Sequence, residues 1–348
     1  MSACDWHASP PPERPDDALA DLLSQHWGLE GQLLRLHGER DLNVRLTSIS
    51  GERFLFKVAN PDTSPRRLEV ENRILAGLAA QADAFRVPRV VPTRSGAAQV
   101  EVPGAGPARL LTWLPGDPFD PAGADQERLE RLGSAAAQLN RALANAPPAL
   151  DAALPRDLPW DLRNLPNLAP LLEAVPESVP VRRIRTTLNR FECETLPSLL
   201  ELPEQIVHND LNPDNVLITS PVTGHTVGII DFGDLVCAPV VCDLAIMLAY
   251  LVDEGPDPLH RTLPALGAFH QRLPLAPEAI ELMPALIRGR LCQTLIIQGS
   301  RLGTERPGSR ALGETVREAA ARFDALDRLG DGDLARTLGG LCRPARDG

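Results

Sequence analysis

The order of apolar and polar residues predicts a small sheet flanked by two helices in the first third of the chain. The stretch DALADLLSQHWG, residues 17–28, carries leucines at helical spacing and ends at a glycine. The stretch QLLRLHGERDLNVRLTSISGERFLFKVAN alternates strand-forming runs with two turn signals, which predicts an antiparallel meander of three strands. Helical spacing returns in RRLEVENRILAGLAAQ, where Glu71 falls on the inward side and therefore needs a partner.

The remaining two thirds of the chain predict a second, mainly helical lobe. Two further strands are expected before the break at Pro115 and Gly116. Helical spacing recurs over residues 125–146, again near 180–200, and in most of the chain after residue 240. Between them, EQIVHNDLNPDNVLITSPVTGHTVGIIDFGD predicts strand, loop, strand, turn and strand. The predicted fold class is α+β, with a flexible tail at residues 1–16, a small lobe at 17–114 and a larger lobe at 115–348.

Composition and charge narrow the classes of partner. The formal net charge is -11 and no run of Lys or Arg occurs, which argues against a nucleic-acid partner, because such proteins carry a basic domain or stripe. The first residues lack a secretion signal, and no stretch approaches the roughly 20 apolar residues of a membrane span. The cysteines lack C-x-x-C pairs, so we expect reduced thiols rather than a metal held by sulfur. We therefore expect a cytoplasmic protein that binds neither nucleic acid nor membrane.

The candidate chemistry lies in HNDLNPDN, residues 208–215, and in DFGD, residues 231–234. If the runs NVLI and VGII pair as a hairpin closed by TSPVTGHT, Asn215 comes level with Asp231. A small set of oxygen ligands suits Mg²⁺, which keeps positions for water and substrate phosphates. Asp210, a third oxygen-bearing side chain, is then placed to take the proton of an alcohol. Metal and base together are the apparatus of phosphoryl transfer.

These two segments resemble the catalytic motif of the aminoglycoside phosphotransferase and choline kinase superfamily, whose members share the bilobal fold of protein kinases. The motif H-G-D-x-x-x-x-N, followed by an apolar strand and I-D-F/W-G/E, departs here only in Asn209, which replaces a glycine. The resemblance implies that Asp243, in the segment CDLA, caps a helix and braces the catalytic loop. The residues that match the motif are His208, Asp210, Asn215, Asp231, Phe232 and Gly233.

Within this superfamily, several segments look like those of the hydroxylysine kinases. They are LLTWLPGDPF, WDLRNLPNLAPLLE and RGRLCQTLIIQGSRL, together with the two motif segments. The resemblance implies a kinase that uses GTP or ATP to phosphorylate a small-molecule hydroxyl, in this subgroup that of 5-hydroxylysine.

The same resemblance assigns the donor site to the small lobe. Lys57, the single lysine of the chain, is expected to meet the donor phosphates and to pair with Glu71. The turn GERDLNVRL stands where a phosphate-covering loop belongs and offers Asn43. Main-chain groups around residues 111–114, at Thr112 and Leu114, are expected to recognise the base.

The acceptor site is predicted with alternatives. Asp234 either binds an amine of the acceptor or caps the next helix. Trp160 and Asp161 either line the acceptor pocket, with the ring over an alkyl chain and the acid on an ammonium, or anchor the lobe. Arg290 either clamps a substrate carboxylate or lies at the surface, and it does not share a helix face with Arg288.

The leading hypothesis is a small-molecule kinase whose acceptor is an amino acid or amino alcohol. Ethanolamine, choline, homoserine and aminoglycosides are alternatives to 5-hydroxylysine within the same class. A nucleotide-binding module without turnover is the alternative from a different class. The presence of all the ionic groups that turnover needs argues against that module. His208 is expected to brace the catalytic loop, because Asp210 already serves as the base.

Overall fold

The computed structural model divides the chain into two compact units. The first comprises Met1–Gly116, Ala146–Leu154 and Gly228–Ile230, and the second comprises Asp117–Asn145, Pro155–Val227 and Asp231–Gly348. The structure describes residues 11–38, 40–80, 85–219, 227–304 and 310–341. The predicted tail at residues 1–16 and the predicted turn TSPVTGHT lie largely outside the described residues.

The first unit contains a five-stranded antiparallel sheet. The order of its strands across the sheet is β1-β2-β3-β6-β5. The predicted meander is confirmed, because β1 pairs with β2 and β2 with β3, all antiparallel. The strands up to this point of the chain are β1 (Gly31–Leu36), β2 (Leu42–Ser48), β3 (Arg53–Val58), β4 (Phe85–Arg86), β5 (Val90–Val91) and β6 (Ala108–Thr112).

Two helices accompany this sheet. Helix α1 (Asp16–Trp27) ends at Gly28, which adopts a left-handed conformation with φ 69°, as the position of the glycine predicts. Alternate residues of β2, β3 and β6 pack with α1 into one apolar core, so this face of the sheet is apolar and buried. Helix α2 (Pro65–Ala79) begins after Ser64, whose side chain accepts a hydrogen bond from the amide of Arg67.

The second unit is mainly helical. Helix α3 packs against α7 so closely that a Cβ atom on Gly133 would come within 2.0 Å of the Ala265 carbonyl oxygen, which explains the glycine. Helix α8 contacts α6 and α9. The helices are α3 (Gln126–Leu143), α4 (Val181–Arg190), α5 (Leu196–Leu200), α6 (Val240–Leu251), α7 (Thr262–Arg272), α8 (Pro277–Thr304), α9 (Arg310–Leu329) and α10 (Asp331–Leu341).

Short strands of the second unit hold the catalytic segments. Strand β8 (Glu204–Val207) pairs antiparallel with β11 (Val236–Pro239), with Val207 opposite Val236. Strand β7 (Asp117–Pro118) pairs antiparallel with β9 (Val216–Ile218). The strand NVLI is present as β9, and the strand VGII is present as β10 (Val227–Ile229), most of which belongs to the first unit. Strand β11 covers residues to which the sequence pattern assigns no element, so this strand was not predicted.

Two helical segments differ from the sequence-based prediction. The helix expected near 180–200 is interrupted by a π-turn at Phe191–Thr195. The segment Leu162–Glu173, for which no helix was predicted, forms 3-10 turns with Pro166 and Pro170 inside it. Its buried leucines recur mostly every three residues, which is the period of a 3-10 helix rather than an α-helix. Within the described part of the chain, no helix is both long enough and apolar enough to cross a bilayer.

Candidate active site

The loop after β8 holds Asp210 by both of its carboxylate oxygens. The side-chain amide of Asn215 donates to Asp210 Oδ2 at 2.7 Å and to the Asp210 carbonyl at 3.0 Å. Arg290 Nη2 donates to Asp210 Oδ1 at 2.9 Å. The Asp210 side chain is 21% exposed, so a small molecule can reach this carboxylate. The loop therefore presents an oriented, accessible carboxylate, as a general base requires.

The turn that carries Asn215 is fixed from two sides. Asn212 precedes a single 3-10 turn and accepts hydrogen bonds from the amides of Asp214 and Asn215 at 2.9 and 3.2 Å. The amide of Phe119, just after β7, donates to the carbonyl of Val216 at 2.8 Å. These bonds hold the Asn215 side chain against Asp210.

Asp243 braces the catalytic loop, as the resemblance implies. Its Oδ1 accepts a hydrogen bond from the main-chain amide of Asn209 at 2.7 Å, and its Oδ2 accepts one from Asn140 Nδ2 at 2.8 Å. Burial raises the pKa of the Asp243 carboxyl, and the charge of His208 and these hydrogen bonds oppose the rise. The expected helix cap is wrong, because Pro239 is the N-cap residue of α6 and Asp243 lies inside the first turn.

Asn209 adopts a left-handed backbone conformation, with φ 64°. This geometry explains why the family motif carries glycine here, since a side chain at positive φ is strained and Asn tolerates it better than most residues. The side chain is fully buried, and neither of its polar atoms has a hydrogen-bond partner among the described residues.

The two catalytic segments lie against each other. The ring of His208 meets the ring of Phe232 edge to face, with centroids 4.7 Å apart. The pairing of β8 with β11 accounts for this contact, because the HNDL segment follows β8 and the DFGD segment precedes β11. His208 also accepts a hydrogen bond from the Asp210 amide through Nδ1, at 3.3 Å. These contacts give His208 the bracing position expected for it.

Asp231 and Asn215 offer oxygen atoms of the kind that bind Mg²⁺. Asp231 is exposed and has φ 60°, and a Cβ atom on Gly233 would lie 3.3 Å from its Oδ1. The Asn215 amide nitrogen points at Asp210, which turns the amide oxygen to the other side. Among the described residues, no three His, Cys, Asp or Glu side chains form a metal cluster. The donor set fits Mg²⁺, which takes few protein ligands, rather than a metal that needs a closed cage.

Arg290 is the centre of a second group of side chains beside Asp210. Its guanidinium carbon lies 4.5 Å from the centroid of the Trp160 ring and 5.8 Å from that of Tyr250. Arg290 is only 2% exposed, so its charge is buried. Gln293 holds the Trp160 segment by donating to the carbonyls of Pro159 and Asp161 at 2.9 and 3.0 Å. In contrast, Arg288 forms an ion pair with Asp327 on α9, so the two arginines point apart, as their spacing predicts.

The other predicted acceptor residues lie in three different settings. Trp160 is half-buried and packs on an apolar cluster, so it serves both as an anchor and as a platform for Arg290. Asp161 is 1% exposed, and its carboxylate contacts Arg163 at 2.5 Å, so its charge is matched inside the protein. Asp234 lies near enough to Arg290 to contribute to its electrostatic environment. The capping alternative for Asp234 is wrong, because strand β11 follows it.

The predicted donor residues of the first unit share one face of its sheet. Asn43 on β2 is opposite Lys57 on β3, and Lys57 is opposite Arg109 on β6. Directly opposite residues of an antiparallel pair have side chains on the same face. Lys57 Nζ lies 3.5 Å from Asp41 Oδ2. The row is therefore polar and positively charged, whereas the other face carries the apolar core.

Glu71 is buried beneath this row, as its inward position predicts. Its Oε2 accepts a hydrogen bond from Arg109 Nη2 at 2.7 Å, and its Oε1 lies 3.5 Å from Arg67 Nε. Burial raises the pKa of Glu71, and the charges of Arg109, Arg67 and Lys57, in that order, oppose the rise. Lys57 is thus one of three cations that act on this carboxylate.

The residues expected to recognise the base lie at the end of β6. Thr112 Oγ1 accepts a hydrogen bond from the Arg89 amide at 2.9 Å, and the Thr112 amide donates to the Arg89 carbonyl at 2.9 Å. Leu114 follows two residues later and is half-buried. The structure positions these residues and leaves their role as a prediction.

Sequence reasoning missed three residues of these clusters, namely Arg109, Tyr250 and Gln293. Arg109 is one arginine among many, and only the register of β3 and β6 places it beside Lys57. Tyr250 is the single tyrosine of the chain, a signal that was present in the composition. Gln293 lies three residues after Arg290, and this helical spacing places both on one face of α8.

Comparison with known proteins agrees with this geometry. The model of the phosphotransferase enzyme family matches residues 30–277. The chain is 27% identical to the hydroxylysine kinase of Mus musculus over 284 residues, which is 77% of this chain and 74% of the relative. It is similar in structure to the microcompartment-associated aminopropanol kinase, with TM-score 0.66, 20% identity and coverage of 91% and 98% of the two chains.

A second solved structure extends the likeness of fold. Amicoumacin kinase hAmiN in complex with AMP-PNP, Ca²⁺ and Ami has TM-score 0.69 and 13% identity, with coverage of 90% and 94% of the two chains. The bilobal, kinase-like α+β fold expected from the sequence is confirmed by these neighbours. Because the family model matches more than half of the chain, the chain belongs to the phosphotransferase enzyme family, as a small-molecule kinase with a hydroxyl acceptor.

Proposed function

We propose that this phosphotransferase transfers the γ-phosphate of GTP or ATP to the side-chain hydroxyl of 5-hydroxylysine. The observation that carries the proposal is the position of Arg290, a buried arginine whose partner is the candidate base, Asp210. Two acids and one arginine, namely Asp210, Asp234 and Arg290, lie near one another in the second unit. This pattern of charge suits a zwitterionic amino acid better than a purely cationic amino alcohol.

Arg290 has hydrogen-bonding capacity for a carboxylate ligand. Its Nη1 makes only long contacts, at 3.5 Å to the Trp160 carbonyl and 3.4 Å to Gln293 Oε1. Its Nε has no hydrogen-bond partner among the described residues. A carboxylate forms strong, paired hydrogen bonds with a guanidinium. The carboxylate of the acceptor would therefore compete with Asp210 for Arg290 and release an oxygen of Asp210 for the acceptor hydroxyl.

Asp210 is the proposed base in this reaction. Asn215 orients the carboxylate through Oδ2, so Oδ1 is the oxygen that faces Arg290. An acceptor hydroxyl that binds in place of the guanidinium would donate its hydrogen bond to Oδ1 and give up its proton there as the phosphorus–oxygen bond forms. The proton goes to Asp210, and the leaving group is the nucleoside diphosphate.

Asn215 and Asp231 are the proposed ligands of Mg²⁺, and Lys57 is the proposed ligand of the donor phosphates. Bound Mg²⁺ would supply positive charge against the phosphate oxygens that carry negative charge during transfer. In the first unit, the ammonium of Lys57 lies beside Asp41 and acts on Glu71 together with Arg109 and Arg67. Its place in the polar row of the sheet, between Asn43 and Arg109, supports a phosphate-binding role for Lys57.

An acceptor scan tests the proposal. Release of nucleoside diphosphate is measured with GTP and with ATP, with and without Mg²⁺, in the presence of 5-hydroxylysine, homoserine, ethanolamine, choline, 1-aminopropan-2-ol or kanamycin. We expect Mg²⁺-dependent turnover with the highest kcat/KM for 5-hydroxylysine. Turnover with choline or kanamycin and none with 5-hydroxylysine would contradict the acceptor, and nucleotide binding without transfer to any alcohol would contradict the kinase activity.

Arg290→Gln tests the carboxylate contact. We expect kcat/KM for 5-hydroxylysine to fall about 10- to 100-fold, because a hydrogen bond to a charged group contributes about 1.5–3 kcal/mol. The loss for ethanolamine, which has no carboxylate, should be much smaller. Arg288→Gln is the matched control, because Arg288 lies two residues away on the same helix and pairs with Asp327 instead. Equal losses for both acceptors would show that Arg290 does not recognise a carboxylate.

A further inference from the structure

Arg109 is the most completely buried cation of the first unit, at 2% exposure. Its Nη2 donates to Glu71 Oε2 at 2.7 Å and its Nη1 donates to Asn72 Oδ1 at 2.8 Å. The two terminal nitrogens of the guanidinium therefore bind the side chains of two consecutive residues of α2, Glu71 and Asn72. A buried charge is tolerated when it is paired and hydrogen-bonded in this way. Arg109 thus ties α2 to strand β6.

The contacts of Arg109 continue into a chain of hydrogen bonds along α2. Asn72 Nδ2 donates to Gln99 Oε1 at 3.0 Å, and Gln99 Nε2 donates to the Pro65 carbonyl at 3.1 Å. The start of α2, its middle and strand β6 are therefore joined through polar side chains. These hydrogen bonds fix the rotation and height of the helix relative to strand β6.

Glu71 is held by this network at the level of Lys57. The cross-strand register places Arg109 directly opposite Lys57, so both cations act on the same carboxylate from neighbouring strands. Arg67 acts on it from its own helix, and Asp41 adds a second negative charge from the loop before β2. Lys57 lies 3.5 Å from Asp41, so the ammonium has two acids around it. The position of Glu71 therefore determines where the Lys57 ammonium lies between the Glu71 and Asp41 carboxylates.

We propose that Arg109 is a positioning residue of the nucleotide site, which fixes the Glu71 carboxylate and through it the Lys57 ammonium that binds the donor phosphates. The proposal rests on the proposed role of Lys57. Arg109 does not bind the phosphates itself, because its two terminal nitrogens are engaged by Glu71 and Asn72 and its side chain is buried. Its effect on the reaction passes through Glu71.

Charge gives the proposal a pH signature. Burial is the largest influence on Glu71 and raises its pKa, and Arg109 is the largest of the opposing influences. Without Arg109 the pKa rises further, so Glu71 becomes neutral at a higher pH than in the wild type. A neutral Glu71 no longer attracts Lys57, which then turns to Asp41. Nucleotide affinity of an Arg109 variant should therefore fall more steeply than that of the wild type as the pH is lowered.

The test compares Arg109→Gln and Arg109→Lys with Glu71→Gln, the double variant and wild type. Mg²⁺-nucleotide affinity is measured by calorimetry at several pH values, together with kcat, KM and the Tm of the protein without nucleotide. Arg73→Gln is the control, because Arg73 is on the exposed side of the same helix. We expect Arg109→Gln to weaken nucleotide affinity about tenfold or more, which corresponds to about 1.4 kcal/mol, with a smaller change in kcat. Arg109→Lys keeps the charge and should restore part of the affinity.

The double variant separates positioning from general damage. If Arg109 acts through Glu71, Arg109→Gln adds little to the loss of nucleotide affinity caused by Glu71→Gln, because the effects of substitutions at contacting residues are not additive. A lower Tm with unchanged affinity, KM and pH dependence would show a merely structural role and overturn the proposal. If Arg109→Gln does not fold, Arg109→Lys and Glu71→Gln decide on the same readouts. A wild-type protein that binds no nucleotide would refute the proposed function itself.

Discussion

The two units each pair a carboxylate with a buried arginine, but the carboxylates differ in exposure and in the roles proposed for them, which are binding for Glu71 and chemistry for Asp210. In the first unit, the Glu71 side chain is 5% exposed and contacts Arg109 at 2.7 Å. In the second unit, the Asp210 side chain is 21% exposed and contacts Arg290 at 2.9 Å. A carboxylate enclosed by cations positions its neighbours, whereas a partly exposed one is within reach of a substrate.

The two arginines also differ in their hydrogen bonds. Both terminal nitrogens of Arg109 have short hydrogen bonds to side chains of one helix. Arg290 has one short hydrogen bond, to Asp210, and its other contacts with Tyr250, Gln293 and the Trp160 carbonyl are 3.4–3.5 Å long. In the first arrangement both terminal nitrogens have a short hydrogen bond, whereas in the second only Nη2 has one, so Nη1 of Arg290 has capacity for a ligand. We therefore expect substitution of Arg109 to change nucleotide affinity and substitution of Arg290 to change kcat/KM for the acceptor.

The largest expected effect follows from Asp210→Ala. We expect kcat to fall by a factor of about 10² to 10⁴, since the proposed base is lost, while nucleotide affinity stays near that of the wild type. Asp214→Ala is the matched control, because Asp214 is exposed in the same loop. Steady-state kinetics and nucleotide titration measure the two quantities. A loss of nucleotide affinity as large as the loss of kcat would contradict the expectation that Asp210 acts in chemistry and not in nucleotide binding.

A smaller effect is expected from Asp243→Asn, which tests the brace beneath the catalytic loop. Burial raises the pKa of Asp243 above its ordinary value, so the folded protein holds a proton at this carboxyl more tightly than the unfolded chain does. The contribution of this carboxyl to stability is therefore full below that value and is lost as the pH rises through the folded-state pKa. In urea unfolding across this window, the stability of the wild type relative to Asp243→Asn should fall as the pH rises. If the stability of the wild type relative to Asp243→Asn increased with pH, the raised pKa of Asp243 would be contradicted.

The smallest expected effect concerns the positive φ of Asn209. Glycine adopts this conformation without strain, whereas alanine there is strained. Asn209→Gly should therefore be more stable than Asn209→Ala by about 1 kcal/mol, measured by urea unfolding. Both variants keep the main-chain amide that donates to Asp243. Equal stability of the two variants would show that the backbone of this loop relaxes to another conformation.

Much of the fold was predictable because its signals are local. The alternation of β2, the left-handed Gly28 at the end of α1 and the inward position of Glu71 each depend on neighbours in the sequence. Strand β11 and the 3-10 segment at Leu162–Glu173 were not predicted. Strand β11 forms by pairing with β8, which is distant in the sequence, so no local pattern indicates it. In the 3-10 segment the buried leucines recur mostly every three residues, a period that predicts neither an α-helix nor a strand.

The candidate site was predictable where a motif carried it. Asp210 and Asn215 lie in one loop and their spacing predicts them, while Asn209 stands out as the one departure from the motif of the resembling family. Arg109 and Tyr250 were not found, because their roles depend on contacts between elements distant in the chain. Asp161 was considered for the acceptor pocket on its place next to Trp160, but the structure gives it Arg163 as a partner. Whether a charge is matched inside the protein depends on three-dimensional neighbours, which the sequence does not display.

The most direct test of the account compares two isosteric substitutions, Glu71→Gln and Asp210→Asn, in parallel. Mg²⁺-nucleotide affinity is measured by calorimetry, and the single-turnover rate of phosphate transfer to 5-hydroxylysine is measured at saturating nucleotide. We expect Glu71→Gln to lose nucleotide affinity and keep most of the transfer rate, whereas Asp210→Asn should keep affinity and lose the transfer rate. Loss of the same quantity in both variants would contradict the division of binding and chemistry between the two carboxylates.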